Sequence, residues 1–145
     1  MSIKFTVIGC PQPQGSTKAF IPKGWNRAII TTANSKNKPW RQEVAGMAAS
    51  YMEERSLDLL EELPIQVNVE FFFEKPKSTK KTVMHKITKP DIDKLARSVL
   101  DALTGVVFKD DSQVVRCTLG KSFGSPARAE IEVTQVSGLQ PTMFS

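Results

Sequence analysis

The chain has 145 residues, 20 Lys and Arg against 15 Asp and Glu, a formal net charge of +5 and 40% apolar residues. That suits one globular domain with a hydrophobic core, and no apolar run approaches the roughly 20 residues that span a bilayer. A lone histidine, His85, excludes His-pair catalysis, and Cys10 and Cys117 lack zinc spacing, so buried free thiols in a reducing compartment are expected.

The opening MSIKFTVIGC lacks the long apolar stretch of a secretory leader, which points to the cytoplasm. Ile3, Phe5 and Val7 alternate with polar residues and predict a strand over 2–9 with one buried face. PQPQGS (11–16) breaks it. KAFIP and RAIITT suggest two short strands around the KGWN turn, where Trp25 is a candidate for stacking on unpaired bases. Residues 38–60 predict a helix, with Pro39 in the first turn and Trp40, Val44, Met47, Ala48, Tyr51 and Met52 as its apolar stripe. Its end, EERSLDLLEE (53–62), has a local net charge of −4, so the remainder carries +9. A basic surface of that kind points to a polyanion, most simply nucleic acid.

After Pro64, PIQVNVEFFF alternates Ile65, Val67, Val69 and Phe71 and predicts a strand. Residues 74–90 follow without period and carry Lys75, Lys77, Lys80, Lys81, Lys86 and Lys89; a connection this long is commonly functional. A helix is predicted over about 92–103, stopped by Gly105. QVVRCTLGKSF and ARAEIEVTQV then predict two strands around the GSP turn. No repeat is visible. The expectation is one α+β domain over 1–137, two main helices packed on a mostly antiparallel or mixed sheet, with a separate tail at 138–145.

PDIDKLARSVLDAL (90–103) and FKDDSQVV (108–115) gather acids in a basic chain. Two carboxylates about 4 Å apart repel by roughly 4 kcal/mol at an effective dielectric near 20, so something must offset them. Asp91 and Asp93 would diverge on a helix but face one way on an extended segment, and Pro90 favours an extended approach. Two readings stay open. Asp91 can cap the helix, Asp93 and Asp101 can pair with Arg97, and Asp110 and Asp111 can be turn residues. Alternatively Asp91, Asp93 and one of the Asp110–Asp111 pair present hard oxygen ligands to Mg²⁺, which takes a few carboxylates, waters and phosphate oxygens. Such an ion beside a basic surface suits a nuclease.

The string PDIDKLARSVLDALTGVVFKDDSQVV resembles the signature of the RusA family of Holliday junction resolvases: an Asp-x-Asp pair, an amphipathic helix with a further Asp, a DAL-like end, then Asp-Asp-x-Gln-Val. The resemblance implies a homodimeric, Mg²⁺-dependent endonuclease, with Mn²⁺ as a possible substitute, that nicks four-way DNA junctions symmetrically. Asp91, Asp93 and Asp111 would be its essential, metal-holding acids. Relatives often carry lysine where this chain has Arg97; an arginine stays charged and clamps phosphate but is a poor proton donor. Lys121 matches a basic position in the following strand. With Lys75, Lys77, Lys80, Lys81, Lys86 and Lys89 it makes the expected DNA-binding set. The rival expectations are a junction-binding protein without catalysis and a nuclease acting on flaps or forks.

Overall fold

A computed structural model describes residues 2–15, 17–20, 23–24, 29–32 and 35–137; Trp25 and the tail at 138–145 lie outside them. Strand β1 (Ser2–Ile8) buries Ile3, Phe5 and Val7 and exposes the residues between, as their alternation predicts. Two short strands, β2 (Thr17–Phe20) and β3 (Ile29–Thr32), pair antiparallel. Helix α1 (Asn37–Glu54), strand β4 (Ile65–Phe73), helix α2 (Ile92–Leu103) and strands β5 (Val114–Phe123) and β6 (Arg128–Gln135) follow among the described residues.

The main sheet runs β1-β6-β4-β5. β6 is antiparallel to both β1 and β4, whereas β4 and β5 are parallel, joined by a crossover through α2. The sheet is therefore mixed, and the last two strands are not a hairpin, because β4 lies between them. Phe5, Ile131 and Val69 share one row, and Val7, Ala129 and Phe71 the next. These rows are buried on the face that the helices cover, α1 packing on β1 and α2, and α2 on β5. Removing the side chain of a fully buried residue such as Leu103 would cost about 2–5 kcal/mol. The opposite face is polar and partly open, with Lys4, Asn68, Glu70, Glu130 and Glu132 around one shallow depression.

Three local expectations are corrected. The helix read over 38–60 stops at Glu54: Ser56 takes a left-handed φ of 50°. Its N–H bonds the carbonyl of Glu53, and Leu57 N–H bonds that of Met52, a Schellman closure that turns Leu57 back onto the core. The apolar stripe is narrower than its spacing suggests. Trp40, Val44, Ala48 and Met52 are buried, while Met47 is 40% exposed and Tyr51 lies half-buried under the Arg55 guanidinium. Both cysteines are exposed, since Cys10 follows β1 and residues 115–118 of the edge strand stay in solvent.

Gly105 closes α2 as expected, at φ 81°, where a Cβ would be strained. The chain then runs beside the loop before β4: Leu60 N–H bonds Val107 O and Lys109 N–H bonds Leu60 O, over the buried Leu60 and Phe108. This pairing fixes where Asp110 and Asp111 leave the core. Among the described residues no helix is long and apolar enough to cross a membrane.

Candidate active site

The acids of the DxD pair sit at the junction of loop and helix. Asp91 occupies the position before α2 in an extended conformation (φ −70°, ψ 139°), but its side chain makes no capping hydrogen bond. It is exposed, with Lys89 Nζ 3.9 Å from one oxygen. Asp93 lies in the first turn and binds Lys94 Nζ at 3.1 Å; that hydrogen bond holds its carboxyl below the usual carboxylate range. The expected pairing of Arg97 with Asp93 and Asp101 is not made: among the described residues Arg97 has no ion pair, and its guanidinium is exposed.

The second cluster is organised by a cap. Asp110 Oδ1 accepts the backbone N–H of Ser112 at 2.9 Å, and Gln113 Oε1 accepts that of Asp110 at 2.9 Å, a capping box on the short 3₁₀ turn Asp111–Gln113. Gln113 Nε2 also donates to the carbonyls of Leu60 and Leu63 at 3.2 Å each. The turn is thereby tied to the loop before β4. The backbone hydrogen bond from Ser112 holds the Asp110 carboxyl low. Asp111 behaves oppositely: burial first, then its contact with Asp110 and the charges of Asp110 and Asp101, raise its carboxyl above 3.8. Of the four acids, Asp110 is the one that caps.

Asp93, Ala96, Arg97, Leu100 and Asp101 follow one another along a single face of α2, at helical spacings of three and four. With Asp111 and Leu119 they line one cavity of about 270 Å³ between α2 and β5. It joins three carboxylates to one unpaired guanidinium. Asp91 is not among its lining residues. Among the described residues, no three Asp, Glu, His or Cys side chains form a group that would enclose an ion. The donor chemistry nevertheless suits Mg²⁺, which keeps most of its waters and takes one or two carboxylates together with substrate phosphate oxygens. Partial burial of the Asp111 carboxylate, and after it the neighbouring charges of Asp110 and Asp101, disfavour its ionised form, a cost that a cation would relieve. Asp101, which the sequence reading gave mainly to the helix, joins this cavity; its spacing of eight from Asp93 was the available signal.

Lys121 sits on the helix-covered face of β5, level with Phe71. Its ammonium donates to the carbonyls of Thr88 at 2.7 Å and Pro90 at 2.8 Å, clamping the backbone on either side of Lys89 and just before Asp91. One of its three N–H donors is left for other partners. The remaining lysines divide by role. Lys75 donates to the carbonyls of Lys80 and Lys81 and so closes its own loop. Lys86 binds Thr88 Oγ1 at 2.9 Å and lies over the Phe73 ring. Lys77, Lys80, Lys81 and Lys89 are exposed.

Comparison with known proteins agrees with these motifs. The family described as endodeoxyribonuclease RusA matches residues 10–134, most of the chain. The uncharacterized protein YqaN of Bacillus subtilis (strain 168) is 32% identical over 141 residues, covering 93% of this chain and 97% of that protein. The crossover junction endodeoxyribonuclease rusA of Lactococcus phage r1t is 30% identical over 92 residues, covering 62% of this chain and 70% of the phage protein.

Proposed function

The chain belongs to the RusA endodeoxyribonuclease family, and from that premise we propose that it resolves Holliday junctions by paired, symmetric, Mg²⁺-dependent nicks. The observation that carries the reading is the cavity that Asp93, Asp101 and Asp111 line together with the unpaired Arg97, Asp93 lying two positions along the chain from Asp91. Asp93 and Asp111 would hold the divalent cation, with Asp91 completing its shell once phosphate oxygens are present; Mn²⁺ would serve in its place. The bound ion supplies positive charge at the scissile phosphate and acidity to the attacking water.

The protein's own groups supply the remainder. Arg97 grips a phosphate oxygen through its planar fork and keeps its charge throughout, so it stabilises the transition state without moving a proton. Lys77, Lys80, Lys81, Lys86 and Lys89 track the backbone of an arm through salt-sensitive contacts that carry no sequence information. Lys75 shapes the 74–90 connection from within it and Lys121 from β5, and Lys121 keeps one donor for phosphate. A four-way junction has near two-fold symmetry and needs two cuts, so a C₂ homodimer with one such site per subunit places both.

The test is a panel of four-way junction, flap, fork and linear duplex, each with Mg²⁺ or Mn²⁺. The junction should be cut on opposed strands. Asp91→Asn and Asp93→Asn should each lower cutting by about 100-fold or more while junction binding persists. Parent-like cutting by both variants would refute the assignment of the acids. Binding without cutting in either ion would leave a junction-binding protein, and preference for flaps or forks would shift the substrate.

A further inference from the structure

Six large apolar side chains are exposed on the described surface, and three of them, Val83, Met84 and Ile87, fall within five residues of the lysine loop. Single exposed apolar residues are ordinary; a cluster in so charged a segment is not. Met84 is 71% exposed and Ile87 94%. Their backbone is nevertheless fastened. Phe123 N–H donates to Met84 O at 2.9 Å, His85 forms an antiparallel bridge with Ser122, and Lys121 holds Thr88 O at 2.7 Å. Ser122 Oγ donates to Glu70 Oε1 at 2.6 Å and lies 3.3 Å from His85 Nδ1. The segment is thus a ledge on the free edge of β5, carrying apolar tips between cations.

We propose that Met84 and Ile87 form an apolar wedge that enters the base stack at the branch point of the junction, between phosphates held by the flanking lysines. The proposal rests on the junction reading above and adds how branched DNA is distinguished from linear. The partner follows from charge: exposed lysines on both sides select a polyanion, and the apolar surface between backbone phosphates in DNA is the base stack. Inserting Ile or Met between stacked bases must break their stacking in duplex DNA and costs less where stacking is already interrupted. A branch point is such a place. Ile87 and Asp91 are four positions apart, at most about 14 Å of extended chain. At 3.4 Å per nucleotide that places cutting within about four nucleotides of the exchange point.

The experiment uses full-length Asp93→Asn protein and a junction with 2-aminopurine at the exchange point. Binding should raise the fluorescence, and adding Met84→Ser with Ile87→Ser should cut that rise by about threefold or more. Ile87→Leu should keep the rise, and affinity for linear duplex should be the same in all of them. A rise indifferent to the serine substitutions overturns the wedge. So does a serine variant that differs only in sedimentation, which would make these side chains a subunit contact. The two readings fail separately. A parent protein that cuts no junction, with an Ile87-dependent rise, loses the nuclease and keeps the wedge; a parent that cuts, with an Ile87-independent rise, does the reverse.

Discussion

Lys121→Met isolates the clamp that feeds the chain into Asp91. Methionine keeps most of the side chain's length and removes both ammonium hydrogen bonds, to Thr88 O at 2.7 Å and Pro90 O at 2.8 Å. Hydrogen bonds from a charged donor contribute about 1.5–3 kcal/mol each, and competition from solvent at this half-buried position reduces the pair to about 2 kcal/mol. The loss falls on local opening of residues 84–91 from β5, since the sheet and the helices do not depend on it. An opening constant larger by about 2 kcal/mol is roughly 30-fold. Native-state hydrogen exchange reads it directly, because the Phe123 amide is bonded to Met84 O. Its protection should fall by about that factor while amides at the centre of β4 are unchanged, and cutting should fall in parallel. If protection stays as in the parent while cutting falls and the salt slope of DNA binding drops by about one, Lys121 acts on a phosphate instead and the positioning argument is wrong.

Gln113→Ala removes the two hydrogen bonds that tie the 3₁₀ turn to the loop before β4 and the one that closes the capping box on Asp110 N–H, and should lower stability by about 2–3 kcal/mol in urea titration, with cutting reduced through misplacement of Asp111. Gln113→Glu, which keeps the acceptor but sets a charge against two carbonyls, should be no better; full stability in either variant would refute the tie. For Asp111 the sign follows from its raised carboxyl. The folded protein holds that proton more tightly than the unfolded chain, so stability contributed by the protonated form is present below pH 3.8 and lost as pH rises through the raised value. Asp111→Asn should therefore have a higher Tm than the parent at pH 7 without divalent ions, gain less from Mg²⁺, and fail to cut. A lower Tm would contradict the cost of ionising Asp111 by burial and by its acidic neighbours.

The sequence exposed much of this fold because its strongest signals are local. The period-two burial of β1 and β4 and the bounds of α2 follow from alternation, Pro90 and Gly105, each within a few residues of the element it sets. Pairing order was not readable in that way. β5 and β6 are neighbours along the chain, yet β5 pairs with β4 in parallel, a choice made by α2 packing across the sheet. The same distinction holds at the site. The DxD pair and the DD turn were visible as motifs, whereas which acid caps, and that Lys121 reaches 31 residues back to Pro90, depend on tertiary geometry. Asp110 took the capping role that the helix start offered to Asp91, because the 3₁₀ turn leaves the Ser112 N–H within its reach.

The most direct measurement is paramagnetic broadening of backbone amide signals by Mn²⁺, with and without a cut-resistant junction. Signals of Asp93, Asp111 and Ser112 should broaden first, at the lowest ion concentrations, and Asp111→Asn should weaken the effect. Broadening that begins instead at Glu70, Glu130 and Glu132 on the open sheet face, or nowhere, would contradict a divalent-ion centre between α2 and β5.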